Sequence, residues 1–116
     1  MSIPKLTPSL RWIGMLAVVA VAAPAVAADD AAQLQLGKAL FTTQAVPACA
    51  VCHTLKDAGA AGEIGPVLDD LKPDAGRVAA ALRNGIGQMP SYEGALNDAQ
   101  IAALAAYVAK AAAGVR

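Results

Sequence analysis

Both cysteines and the single histidine of this chain fall within five consecutive positions, Cys49-Ala50-Val51-Cys52-His53. Two thiols with two residues between them, and an imidazole directly after the second, form the C-x-x-C-H pattern of covalent haem attachment. The spacing has a physical reason. One turn of backbone presents two sulfurs to the two vinyl-derived carbons of one porphyrin, and the following imidazole is held under the iron as proximal ligand. Cys49 and Cys52 are accordingly read as thioether donors to one covalent haem c, and His53 as an iron ligand. Three plainer readings compete. A thioredoxin-like dithiol belongs in a βαβ setting, for which the chain has no pattern. A lone disulfide explains the cysteines but not the small core described below. A zinc site wants four ligands, and no second histidine exists to help supply them.

Met89 is the candidate for the opposite face of the iron. Met1 and Met15 lie in the leader, and Met89 sits in Gly85-Ile86-Gly87-Gln88-Met89-Pro90. The glycines allow close approach to a flat ring, and Pro90 stiffens the loop that aims the sulfur. A gap-filling core methionine is the competing reading, since that is a common use of this side chain. The loop is polar and Gly-rich rather than part of an apolar stripe, which favours the ligand. His/Met ligation closes both axial positions and suits an electron carrier. If Met89 stays off the iron, the open site implies ligand binding or peroxidase-like catalysis.

The chain has 116 residues, nine basic and nine acidic side chains and 30 alanines. The balanced charge gives no footprint for nucleic acid or for an anionic membrane surface. Lys5 and Arg11 precede an apolar run from Ile13 to Ala23, then Pro24 and the small-x-small triplet Ala25-Val26-Ala27. This is the layout of a secretory signal peptide. The run is short of the roughly 20 apolar residues of a membrane span. Residues 1–27 are therefore expected to be cleaved, leaving 28–116 as one domain in a bacterial periplasm, with no membrane span. From residue 28 onward there are 22 Val, Ile, Leu, Met, Phe or Tyr residues beside 24 Ala. A domain this small and this poor in large apolar groups needs a staple, and a large buried cofactor supplies one.

The elements that hold these residues read as helices. Asp30 and Gln33 form a capping pair opening a helix through Phe41, with Leu34, Gly37, Leu40 and Phe41 on one face. Thr54 to Pro66 reads as a loop, and Val67 to Leu71 as a short turn. Asp74 caps a helix carrying Val78, Ala81 and Leu82, stopped by Asn84-Gly85. Gly85 to Asn97 is a second loop. Asn97 and Gln100 then open a last helix with Ile101, Leu104, Ala105 and Val108 on one face. No stretch alternates with a period of two, so little or no sheet is expected.

The chain resembles a class I c-type cytochrome over essentially all of 28–116: a Gly-x-x-x-Phe helix, the haem motif, a Met-Pro loop and a C-terminal helix. The resemblance implies an all-α small cytochrome c fold in which the N- and C-terminal helices cross, with a middle helix and loops around the haem. It matches Gly37 and Phe41 to the N-terminal side of that crossing, and Leu104 and Tyr107 to the C-terminal side. It also implies that the carbonyl of Pro66, in Gly65-Pro66, accepts a bond from the His53 imidazole; an ordinary loop proline is the alternative. For the haem propionates no residue is assigned: Lys72, Arg77, Arg83 and Tyr92 are candidates, each read more readily as a solvated surface group than as a haem contact. The runs 52–59 and 65–73 are similar to small monohaem cytochromes that partner periplasmic molybdenum sulfite dehydrogenases. That likeness implies a redox protein as donor and a downstream cytochrome or oxidase as acceptor.

Overall fold

The computed structural model describes residues 1–5, 8–9, 14, 16–22 and 25–114. Arg11, Ile13 and Pro24 of the leader pattern lie outside the described residues.

The first helix, α1, spans Ala25–Ala39 and continues into a wider π-helical turn over Leu40–Gln44. It starts five residues before the expected Asp30 cap. The alanines at 25, 27 and 28 are strong helix formers, so the helix runs on through the acidic pair. At its other end the hydroxyls of Thr42 and Thr43 donate to the carbonyls of Lys38 and Ala39 at 2.9 and 3.3 Å. Such back-bonding loosens a last turn. The amide of Ala45 then reaches back five residues to the Leu40 carbonyl at 3.0 Å.

One helical turn, α2, covers Cys49–Cys52. The following segment, expected to be loop, contains a small antiparallel pairing of β1 (Thr54–Leu55) with β2 (Ala60–Ala61). A 3-10 turn over Lys56–Ala58 and Gly59 at φ +62° join the two. Helix α3 is Leu68–Leu71, α4 is Ala75–Asn84 and α5 is Asp98–Ala112. The caps expected for α4 and α5 are both present. Asp74 accepts from the Arg77 amide at 2.7 Å, and Asn97 and Gln100 bond reciprocally at 2.8 and 2.9 Å. Gly85 ends α4 at φ +69° and ψ 165°, a region that side chains other than glycine avoid.

The core forms where α1 crosses α5. Gly37 is buried there, and a methyl group on it would overlap the Ala103 carbonyl and reach 2.5 Å from the Tyr107 Cβ. Phe41 and Tyr107 meet edge to face with centroids 6.1 Å apart, an arrangement worth about 0.5–1.5 kcal/mol beyond burial. Leu40, Phe41, Leu55, Ile101 and Leu104 are the largest fully buried side chains. Fully burying a side chain such as Leu or Phe contributes about 1.5–3 kcal/mol. Asp57 binds the two helices to the chain after α2: Tyr107 donates to its carboxylate at 2.7 Å, and Lys38 lies 3.4 Å from the same oxygen.

Candidate haem-binding site

Helix α2 supplies two thiols and positions the imidazole. Its single turn is closed by the His53 amide on the Cys49 carbonyl at 2.9 Å. Cys49 and Cys52 are free thiols, each partly buried. Burial pushes the Cys49 thiol up to about 11, so it stays protonated at physiological pH. The site is thus apolar in character.

The imidazole is fixed from behind. His53 Nδ1 lies 2.9 Å from the Pro66 carbonyl oxygen, so Nδ1 carries the proton and Nε2 keeps its lone pair. The loop carrying Pro66 is itself held to α2, because the Gly65 amide donates to the Cys52 carbonyl at 2.7 Å. Gly65 must be small: a methyl there would come within 2.5 Å of the His53 Cε1. Gly62 is equally confined, since a methyl would lie 2.6 Å from the His53 nitrogen and the Cys52 carbonyl carbon.

Met89 stands on a separate loop and packs, partly buried, against the same core cluster as Cys49 and Ala50. A tight turn aims it, closed by the Ile86 amide on Met89 oxygen at 3.1 Å and the Met89 amide on Ile86 oxygen at 2.9 Å. Gly87 in that turn takes φ +55°.

Of the groups read as solvated, Tyr92 is instead buried, while Arg83 stays at the surface in ion pairs. Tyr92 is 4% exposed, because its ring completes the core and its hydroxyl donates to the Pro47 carbonyl at 2.6 Å. Arg83 pairs with Glu93 and Asp98, each at 3.1 Å. The signal that could have found Tyr92 is its type: a tyrosine in a chain with three aromatics besides Trp12 is worth burying.

The residues present suit a haem. The His53 imidazole is held by a bond at Nδ1, two thiols share one turn, Met89 packs on the same core, and Gly65 leaves room at the ring. Zinc is a poorer fit: among the described residues no group of three or more His, Cys, Asp or Glu side chains is placed to hold a metal ion. A shallow groove of about 230 Å³ between α1 and α5, lined by Leu34, Lys38, Tyr107 and Lys110, includes none of these groups.

Fold and site together define a c-type cytochrome domain, and with it a haem protein. The family described as "Cytochrome C oxidase, cbb3-type, subunit III" matches residues 32–108, and the chain belongs to that family. Among solved structures, the c-type cytochrome SorU from Sinorhizobium meliloti is 52% identical. The likeness covers 71% of this chain and 93% of that one, with a TM-score of 0.69. No curated protein matches.

Proposed function

We propose that the protein is a periplasmic single-electron carrier with one covalent haem, held by Cys49 and Cys52 and ligated axially by His53 and Met89. The contact that carries this reading is the bond between His53 Nδ1 and the Pro66 carbonyl, 2.9 Å long. It leaves Nε2 as the ring nitrogen free to bind a metal. When bound, the haem supplies one-electron chemistry, its iron passing between ferric and ferrous states.

The chain's own residues do the rest. Cys49 and Cys52 anchor the ring through thioethers on a turn too short to drift. Met89 would supply the second iron ligand and so exclude oxygen and other small ligands. Gly62, Gly65 and Gly85 let backbone approach where a side chain would collide. No substrate needs to bind, so the reaction calls for a docking surface rather than a pocket. Val51 and Ile86 are 61% and 66% exposed, beside the thiols and in the Met89 turn respectively. Their sequence neighbours Ala48, Ala50, Gly87 and Gln88 are all uncharged, which suits brief encounters better than strong electrostatic steering.

The donor we assign is the catalytic subunit of a molybdenum sulfite dehydrogenase, with a downstream cytochrome or oxidase as acceptor. The runs 52–59 and 65–73 support this. Residues 1–27 act as the export signal, and 28–116 form the mature cytochrome.

Intact mass of the protein exported in a haem-maturing host tests the assembly. The expected product starts at Ala28 and carries the added mass of one haem through denaturation. A mass without haem, or haem lost on denaturation, would overturn covalent attachment. Electron transfer itself is tested by mixing the oxidised holoprotein with a sulfite dehydrogenase and sulfite. Rapid reduction is expected, and failure to reduce would remove the assigned donor.

A further inference from the structure

The loop that presents Met89 is fastened almost wholly to α4. At its front the Gly85 amide donates to the Ala81 carbonyl at 2.8 Å, and at its rear the Tyr92 amide donates to the Leu82 carbonyl at 2.7 Å. The Ser91 hydroxyl adds a bond to the Arg83 carbonyl at 2.5 Å. These contacts fix the loop relative to α4 but say nothing about the distance from Met89 to the turn holding Cys49, Cys52 and His53. Among the described residues, one hydrogen bond crosses that gap. The Tyr92 hydroxyl donates to the carbonyl of Pro47, 45 residues away in sequence, at 2.6 Å. Pro47 stands two residues before Cys49, and Tyr92 three residues after Met89.

The crossing bond is half-buried, with its Tyr92 end in the core and its Pro47 end at the surface. Tyr92 is 4% exposed and belongs to the core cluster against which Cys49, Ala50 and Met89 all pack. The Arg83 pairs with Glu93 and Asp98 brace the same loop at its far end, but they are exposed and screened by salt. Apolar packing of a ring tolerates rotation and sliding, whereas a directed hydrogen bond fixes one geometry.

We propose that Tyr92 is a positioning residue: its strap to Pro47 holds the Met89 loop against the haem-attachment turn and sets how often the sixth position opens. The proposal rests on the reading of Met89 as an axial ligand. Tyr92 itself touches no reacting atom. It acts by biasing Met89 toward the closed arrangement, as any contact made in one of two states shifts their populations.

The test compares holoproteins exported with covalent haem: wild type, Tyr92→Phe, Tyr107→Phe and Met89→Ala. The readouts are the rate of carbon monoxide binding to the reduced protein and the near-infrared methionine–iron charge-transfer band of the oxidised protein. In Tyr92→Phe the band persists and carbon monoxide binds about fivefold faster, the shift expected when one net hydrogen bond is lost from the closed state. Tyr107→Phe removes the same atom from the other buried tyrosine, lowers the melting temperature and leaves the binding rate unchanged. Installing 4-aminophenylalanine at position 92 restores an N–H donor and slows binding again.

A Tyr92→Phe rate equal to wild type would overturn the strap, and so would an equal acceleration in Tyr107→Phe. Met89→Ala separates the two levels of the argument. Rapid binding in Met89→Ala with no response in Tyr92→Phe removes the strap alone. A Met89→Ala rate no faster than wild type removes the ligand reading, and the strap with it.

Discussion

The imidazole of His53 and the carbonyl of Pro66 are joined at 2.9 Å across 13 residues of chain, with Gly65 leaving the ring just enough room. The bond places the proton on Nδ1 and raises electron density at Nε2. A more basic ligand stabilises the more highly charged ferric iron, and so lowers the reduction potential. Gly65→Ala pushes a methyl to 2.5 Å from the ring and must displace it. The potential of that variant should rise by up to about 40 mV, the equivalent of one hydrogen bond in a one-electron couple. Spectroelectrochemical titration reads the change directly, and an unchanged potential would mean that the carbonyl does not tune the iron.

The helix crossing makes a second prediction, with a sign opposite to the usual one. Gly→Ala inside an exposed helix ordinarily stabilises by about 1 kcal/mol. At Gly37 the new methyl would overlap the Ala103 carbonyl and crowd the Tyr107 Cβ. Gly37→Ala should therefore destabilise by about 1–3 kcal/mol, the range for overpacking a tight interior. Denaturant unfolding of the holoprotein gives the number, and a stabilised variant would show that α1 and α5 do not meet through this glycine.

Much of this arrangement was legible in the residues because local rules decide it. Cys49, Cys52 and His53 are fixed by one helical turn, and the caps at Asp74 and Asn97 are set by hydrogen bonds within three residues. The buried face of α5, with Ile101, Leu104, Ala105 and Val108, follows from helical spacing alone. The start of α1 was not legible, since two signals conflict there: Asp30 and Gln33 read as a cap, and the preceding alanines favour helix. The pairing of Thr54–Leu55 with Ala60–Ala61 is too short for any period to show. Tyr92 was misread because its partner, Pro47, is distant in sequence. A long-range contact leaves no local pattern.

Lys72 closes α3 in the left-handed region at φ 46°, where a side chain is strained. Glycine tolerates that geometry, although it also loosens the unfolded chain. Lys72→Gly should match wild type or gain up to about 1 kcal/mol, whereas Lys72→Val should lose about 1 kcal/mol or more, since branched residues avoid positive φ. Paired thermal melts compare the two, and equal losses would contradict the strain argument.

Alkaline stability follows from the two buried tyrosines. Burial is the main force pushing the Tyr92 hydroxyl up to about 12, and the Cys49 and Cys52 thiols add to it until they form thioethers. Tyr107 is raised too, by burial first and then by its bond to Asp57. A folded-state value above the ordinary 10.0 means that the folded form holds its proton more tightly than the unfolded form. The stability this confers is complete below pH 10 and is lost as pH rises through about 12. The melting temperature should fall across that interval, and less steeply in Tyr107→Phe. A melting temperature flat from pH 10 to 12 would contradict the burial of both phenols.

The central claim is a closed low-spin haem with His53 and Met89 on its two faces, and the reduced absorption spectrum with and without carbon monoxide tests it most directly. The account predicts sharp low-spin bands in the wild-type holoprotein that carbon monoxide leaves unmoved on mixing and shifts only as slowly as the Met89 loop opens. A clear shift at once on adding the gas would contradict it, and would turn the protein from an electron carrier into one that binds ligands at an open iron.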